Sequence, residues 1–406
     1  MSGKRAGYRL FALSLSACAL AIGADWLTKR GDPQRTGWQK DERFLTVRTV
    51  KGLRLLWKQK LNGRLTDPLL LGPIITHRGI KELVFVKDST DTIYAVDADL
   101  GRIFWSRNLA RGVSKAACAE DRRIMPVMAS ADESASSVTE DDDNFSDGSK
   151  PLYALSAAGS LHALRTSTGE DFSPSLPFLP PSARPVSLEI SHNVLYATTS
   201  PVCGGLPNRV WTINLSVSGL PIGPDPQGRS WKSNSQALTA FPWKGRDLLT
   251  GLAGSNKPVF LNAGSDGLLL DNTASTSNRF GGLATWQDTA GTRWIYATSH
   301  SGVMAFQVAG PSDRPTAVPS WTSHRLTAAG PPIVANGIVY LLSVAVCAKS
   351  SCLTLHALDA LNGNELYASG EITVLRLPSG NIAIANGHLC FSADGVLYCF
   401  GLPFEM

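Results

Sequence analysis

Beyond residue 22, this 406-residue chain has no apolar run long enough to cross a bilayer, and no amphipathic helix of useful length. That excludes a helical membrane protein and a helix bundle. Signatures of common chemistry are missing too. The seven histidines (77, 162, 192, 300, 324, 356 and 388) are scattered, with no His-x-x-x-His, and there is no Cys-x-x-Cys. No zinc site is therefore expected from spacing, and the sequence assigns no metal ligand. No Gly-x-Ser-x-Gly elbow, P-loop or Gly-x-Gly-x-x-Gly after a strand occurs, so hydrolase and nucleotide-binding readings lose their usual support. Charge of one sign is also scarce. The formal excess is +5, and losing Lys4, Arg5 and Arg9 of the N-terminal leader brings it to +2. A balance so near neutral gives no reason to expect nucleic acid or anionic lipid as partner.

The chain is 43% hydrophobic and 17% charged, ample for a large core, with 37 glycines and 24 prolines spread along it. The N-terminus reads as an export signal over residues 1–24: a basic start, an apolar stretch from Leu10 to Ile22, and the small Ala24 before Asp25. A rival reading takes Leu15-Ser-Ala-Cys18 as a lipoprotein box, with Cys18 carrying a lipid anchor. Simple cleavage is preferred because the apolar run continues past Cys18. The expected location is periplasmic or secreted, the alternative being a lipid anchor through Cys18, and the protein is expected to be a monomer.

Removing Cys18 leaves six cysteines in an oxidising compartment. In Cys390-Phe-Ser-Ala-Asp394-Gly395-Val-Leu-Tyr-Cys399, Asp-Gly is a strong two-residue hairpin turn. Counting outward, Cys390 faces Cys399 at a non-hydrogen-bonded pair, where side chains come closest. Cys347 and Cys352 flank a short polar loop and could close it. Cys118 and Cys203 would pair by elimination, the alternative being that some of these thiols are free and buried.

A local pattern recurs. Ile93-Tyr-Ala-Val-Asp97-Ala-Asp-Leu-Gly101-Arg-Ile-Phe-Trp105 is a strand, a tight turn and a second strand. Asp can bond the turn backbone, Gly takes positive φ, and Trp ends the outer strand where it can pack between sheets. Leu355-His-Ala-Leu-Asp359-Ala-Leu-Asn-Gly363 with Tyr367 repeats the pattern, and Leu161-His-Ala-Leu-Arg165-Thr-Ser-Thr-Gly169 is a weaker copy. His162 and His356 fall at equivalent positions, which marks them as repeat residues rather than ligands. Further strand pairs fall at 194–198 with 210–215, 248–252 with 268–271, 294–298 with 303–308, and 388–391 with 396–400.

Seven units result, around 66–109, 124–179, 185–226, 237–276, 280–322, 327–370 and 371–406. Repeats of roughly 40–50 residues that can each form a four-stranded sheet predict an all-β protein, a single β-propeller of four-stranded blades over 51–406. The last unit lacks an outer strand, and Leu53-Arg-Leu-Leu-Trp57-Lys-Gln-Lys-Leu61 supplies one from the N-terminus, after an extension over 25–50. Residues 132–148, acidic and Ser-rich, read as a loop inserted in the second unit, since their carboxylates lack calcium-loop spacing.

The Asp97-to-Trp105 signature resembles the repeat of enzymes that use pyrroloquinoline quinone (PQQ). Gly31-Asp-Pro-Gln-Arg-Thr-Gly-Trp38, Leu55-Leu-Trp57-Lys, Cys203-Gly-Gly205 and Thr285-Trp286-Gln-Asp288-Thr-Ala-Gly291-Thr-Arg293-Trp294 extend the likeness. They are similar to exported bacterial PQQ-binding-like β-propeller repeat proteins. That resemblance implies the quinoprotein alcohol-dehydrogenase-like propeller, often eight-bladed. The chain is shorter between Pro226 and Ala237, so seven blades are preferred and eight remain open. The dehydrogenases of this group use a catalytic Asp, a calcium ion and a quinone stacked on Trp and often on a vicinal disulfide. This chain has no adjacent cysteines, and none of its acidic residues matches those roles. Scaffolds for outer-membrane protein assembly use the same repeat.

Arg279, Trp286, Asp288, Arg293 and Trp294 form the densest polar-aromatic group. For a ligand in the channel mouth, Arg279 would hold an anionic group and Trp286 would stack, the alternative being blade packing. The expectation is a binding or scaffold propeller with no catalytic residues and an unknown protein or polymer partner. The alternative is a PQQ- and calcium-dependent oxidoreductase.

Overall fold

Short apolar strands separated by glycine-containing turns produce seven small sheets and no α-helix among the described residues. The computed structural model describes residues 23–109, 127–128, 151–180, 184–191, 194–200, 209–215, 223–224, 239–252, 258–262, 282–299, 302–312, 314–347, 350–375 and 381–403. The first sheet runs Leu69–Thr76, Gly79–Lys87, Thr92–Asp97, Ile103–Asn108. The second is Val127–Met128, Leu152–Leu155, Ser160–Leu164, Asp171–Pro177. The third is Arg184–Ser191, Val194–Ser200, Arg209–Asn214, Gly223–Pro224. Three strands make the fourth: Thr239–Trp243, Arg246–Leu252 and Pro258–Asn262. The fifth is Leu283–Gln287, Arg293–Ser299, Gly302–Ala309, Thr316–Thr322.

The sixth sheet is Ile333–Ala335, Ile338–Cys347, Ser350–Asp359 and Glu365–Ala368, with Ile372–Val374 beside Ser350–Asp359. The seventh is Ala383–Ala385, His388–Ala393 and Val396–Gly401. Its fourth, outer strand is Arg54–Lys60 from the far end of the chain, antiparallel to Val396–Gly401. One difference from the sequence reading lies in the fourth sheet. Arg246–Leu252 pairs with Pro258–Asn262, a five-residue run that opens on a proline and does not stand out. Residues 268–271 lie outside the described residues, as do 1–22 with Cys18, Cys118, Cys203, the 132–148 loop, and 225–238, where an eighth unit would fall.

Successive residues of a strand point to opposite sides, so a sheet between two neighbours buries both faces. Phe85 and Ile93 of the first sheet pack with Leu152 and Leu164 of the second, while Val84 and Val86 pack with Leu389 and Phe391 of the seventh. Shared clusters likewise join the second sheet to the third, the fourth to the fifth, the fifth to the sixth, and the sixth to the seventh. This is a β-propeller, in which the first strand of each sheet is innermost.

The repeated turn explains the repeated glycine. In the first sheet Asp97 accepts from the N–H groups of Asp99 and Leu100, and Gly101 adopts φ 66°. The Trp57 ring lies so close that a Cβ at Gly101 would stand 2.5 Å from it, and the indole N–H donates to Ala98 O at 2.6 Å. Trp105 repeats this lock on Gly169 and Thr166 O of the second sheet, and Trp321 on Gly363 and Ala360 O of the sixth. The aromatic end of three outer strands thus clasps the turn of the next sheet. Disulfides join Cys347 to Cys352 and Cys390 to Cys399, the second between facing residues of one hairpin.

Candidate functional site: the axial segment

The inner strand of a propeller sheet presents one unpaired edge of N–H and C=O groups toward the axis. Here residues 24–42 lie against those edges in succession. Trp26 exchanges two backbone hydrogen bonds with Leu70 of the first sheet. Gln34 O accepts from Ala240 N of the fourth sheet, Thr36 O from Thr285 N of the fifth, and Gly37 O from Val334 N of the sixth. Trp38–Gln39 continues as a parallel strand beside Val334–Ala335. The Gln39 amide donates to Ile384 O of the seventh sheet at 3.2 Å, and Arg35 bonds Glu189 of the third at 2.8 Å. One segment therefore touches six of the seven sheets.

Several polar residues of this segment and its surroundings hold it in place. Asn386 clamps Ala24 through its backbone N–H (2.7 Å) and its carbonyl (2.9 Å). Asp32 accepts from the Thr36 N–H at 2.9 Å and from the Thr36 hydroxyl. Glu42 is buried and accepts backbone N–H bonds from Phe44, Leu45 and Gly387 at 2.8–3.1 Å. Arg30, buried, donates to Leu283 O and, at 2.7 Å, to Pro332 O, tying the fifth sheet to the segment that leads into the sixth. Burial lowers the Arg30 pKa to about 10, so the group stays charged at neutral pH. Burial pushes Glu189 and Asp32 upward, against the opposing pull of Arg35 on Glu189 and of the Thr36 bonds on Asp32.

Of the two ligand-binding candidates, Arg279 lies outside the described residues. Trp286 is half-buried and packs on the cluster between the fifth and sixth sheets, its ring 3.7 Å from where a Cβ at Gly337 would stand. Asp288 accepts from the Trp294 indole at 2.9 Å and closes its own turn by accepting from Thr292 N. Arg293 lies between the Trp38 and Phe241 rings, 5.6 and 5.3 Å from their centroids, where burial lowers its pKa. The structure thus brings Arg293 and Trp38 together, and spacing could not have joined them, since 254 positions of chain intervene.

Among the described residues, no group of three potential metal ligands falls at the inner strands. Residues 24–42 run along those strands, and Asp32, Glu42 and one oxygen of Glu189 accept from the chain's own donors. Among the described residues no helix is long and apolar enough to cross a membrane.

No family model matches the chain, and no curated protein matches its sequence. Among solved structures, a europium-containing methanol dehydrogenase is similar with a TM-score of 0.55 at 10% identity, over 93% of this chain and 98% of that one. A quinohemoprotein alcohol dehydrogenase from Comamonas testosteroni aligns with a TM-score of 0.43 at 12% identity, over 93% and 80%. BamB from Moraxella catarrhalis aligns with a TM-score of 0.34 at 11% identity, over 87% and 99%. At such identity the methanol dehydrogenase likeness is one of fold, the β-propeller.

Proposed function

We propose that this β-propeller is an exported binding or scaffold module that recognises a protein or polymer, not a quinone enzyme. One observation carries the reading: residues 24–42 run along the inner strands, bonding backbone edge groups of five sheets and pairing through Arg35 with Glu189 of another. Recognition then falls to the outer surfaces and loops. The two disulfides suit an oxidising compartment and support export. The hairpin Ile338–Cys347 with Ser350–Asp359 has the longest strands, and Cys347–Cys352 staples its tip. Beside the staple, Val346 and Leu375 are 89% and 84% exposed, which makes this tip the first surface to test.

The test pairs two measurements on the purified mature chain. Immobilised protein should enrich a defined partner from envelope extract of the native host, relative to an unrelated exported propeller, and Val346→Asp with Leu375→Asp should reduce recovery at least fivefold. Recovery no better than the control would overturn the reading. Tryptophan fluorescence should stay unchanged on titration with PQQ and calcium. Saturable quenching would restore the enzyme alternative.

A further inference from the structure

Two sheets carry the same pair of side chains at equivalent repeat positions, and their surroundings differ. In the second sheet His162 Nδ1 stands 3.3 Å from Asp171, nine residues on. In the sixth sheet His356 Nδ1 stands 2.6 Å from Glu365, also nine residues on. Each pair lies beside the preceding sheet in the ring of contacts, just past the tryptophan that clasps the shared turn. In the second sheet that neighbour supplies a cation: Arg107, two residues after Trp105, bonds Asp171 directly. In the sixth, the residue that comes in is His324, three after Trp321, with Nε2 3.7 Å from the same Glu365 oxygen that meets His356.

The sixth-sheet cluster therefore has two imidazoles and a carboxylate where the second-sheet cluster has an arginine. Its three donor atoms lie within 4.8 Å of one another. A tetrahedral ion with bonds of about 2.0–2.1 Å holds its ligands roughly 3.3 Å apart, between the 2.6 and 3.7 Å found here. Rotamer adjustment of the exposed His324 and Glu365 can close that difference. The buried ring is already oriented from behind, because the Ser343 hydroxyl lies 2.8 Å from His356 Nε2. A partner on the far nitrogen is what a ligating histidine ordinarily has. Two tautomers satisfy Ser343. When the ring donates to Ser343, its Nδ1 lone pair and the Glu365 carboxylate face each other as acceptors, and a cation belongs between them. His324 is 49% exposed, which leaves an entry path from solvent.

We propose that His324, His356 and Glu365 form a binding site for a divalent transition-metal ion of the Zn2+ type, with a fourth position open to water. The ion takes the place that Arg107 holds in the second sheet and ties the segment after the fifth sheet to the outer strands of the sixth. The Cys347, Cys352 and Glu371 group nearby does not compete, since its sulfurs are in a disulfide.

The experiment uses untagged full-length mature protein and measures Zn2+ by equilibrium dialysis, with Co2+ absorption as a second readout. One Zn2+ per chain is expected, with a tetrahedral Co2+ band. His324→Asn and Glu365→Gln should each weaken binding at least 100-fold and abolish the band, and Ser343→Ala should weaken it by 10- to 100-fold. His162→Asn, at the equivalent pair, should change nothing. Failure of the wild type to retain Zn2+, or equal retention by His324→Asn, would overturn the site. Melting curves show whether each variant is folded, and exposed His324 is the substitution least able to disturb the core.

Discussion

His388 belongs to the seventh sheet, yet both groups that face its ring belong to the first: Glu82 at 3.2 Å from Nδ1 and Asp99 at 3.4 Å from Nε2. Burial alone would depress this histidine. The neighbouring carboxylates of Asp99 and Glu82 outweigh burial and push its pKa up to about 9. The His388 ring in turn holds Asp99 below the usual carboxylate range. Lys81, paired with Asp97 at 2.8 Å, is the other charge on this surface. The folded pKa lies above the ordinary value of about 6.5, so the stabilisation is complete below that pH and is lost as pH rises through 9. It amounts to about 3 kcal/mol. Urea midpoints should therefore fall between pH 7 and 10, and His388→Asn should flatten that slope. Parallel profiles for the two proteins would show that the ring carries no extra proton when folded.

At the scale of the element, the clasp between an outer strand and the next turn is the recurring device. Gly101 carries two demands, a φ of 66° and a ring 2.5 Å from any added Cβ. Gly79 carries one, a φ of 89° with open space around it. Gly79→Ala should thus cost about 1–2 kcal/mol from backbone strain alone. Gly101→Ala should cost about 3 kcal/mol or more, since Trp57 must also move. Equal costs in denaturant melts would mean that the clasp adds nothing. The turn, its Asp and its Gly were legible in the sequence because all their bonds close within five residues. So was the facing of Cys390 and Cys399, which follows from a two-residue turn and strict alternation. The partner of each tryptophan was not legible, because it sits on the next sheet and no period links the two positions.

For the whole molecule, the axial segment is the part that depends on everything else. Its backbone satisfies inner-edge groups of several sheets, and Arg30 ties the fifth to the segment that leads into the sixth. A chain begun at Lys40 should expose those edges, lose cooperative melting and aggregate. Asn386→Ala, which releases only Ala24, should lower the midpoint modestly and leave the transition cooperative. A truncated chain that melts like the full one would reduce the segment to a passenger and remove the main support for the binding reading.

The sequence by itself determined most of the strands, the turns, the repeat and the loan of an N-terminal strand to the last sheet, because each is written in alternation and turn chemistry over a few residues. Only the tertiary structure decided that Gly31-to-Trp38 lies along the axis, that His388 bridges the first and last sheets, and that His324 joins His356 and Glu365. Those contacts link residues with no common period, and they exist only once the sheets have taken their places beside one another. The packing of whole sheets sets which side chains meet, and local pattern carries no trace of it.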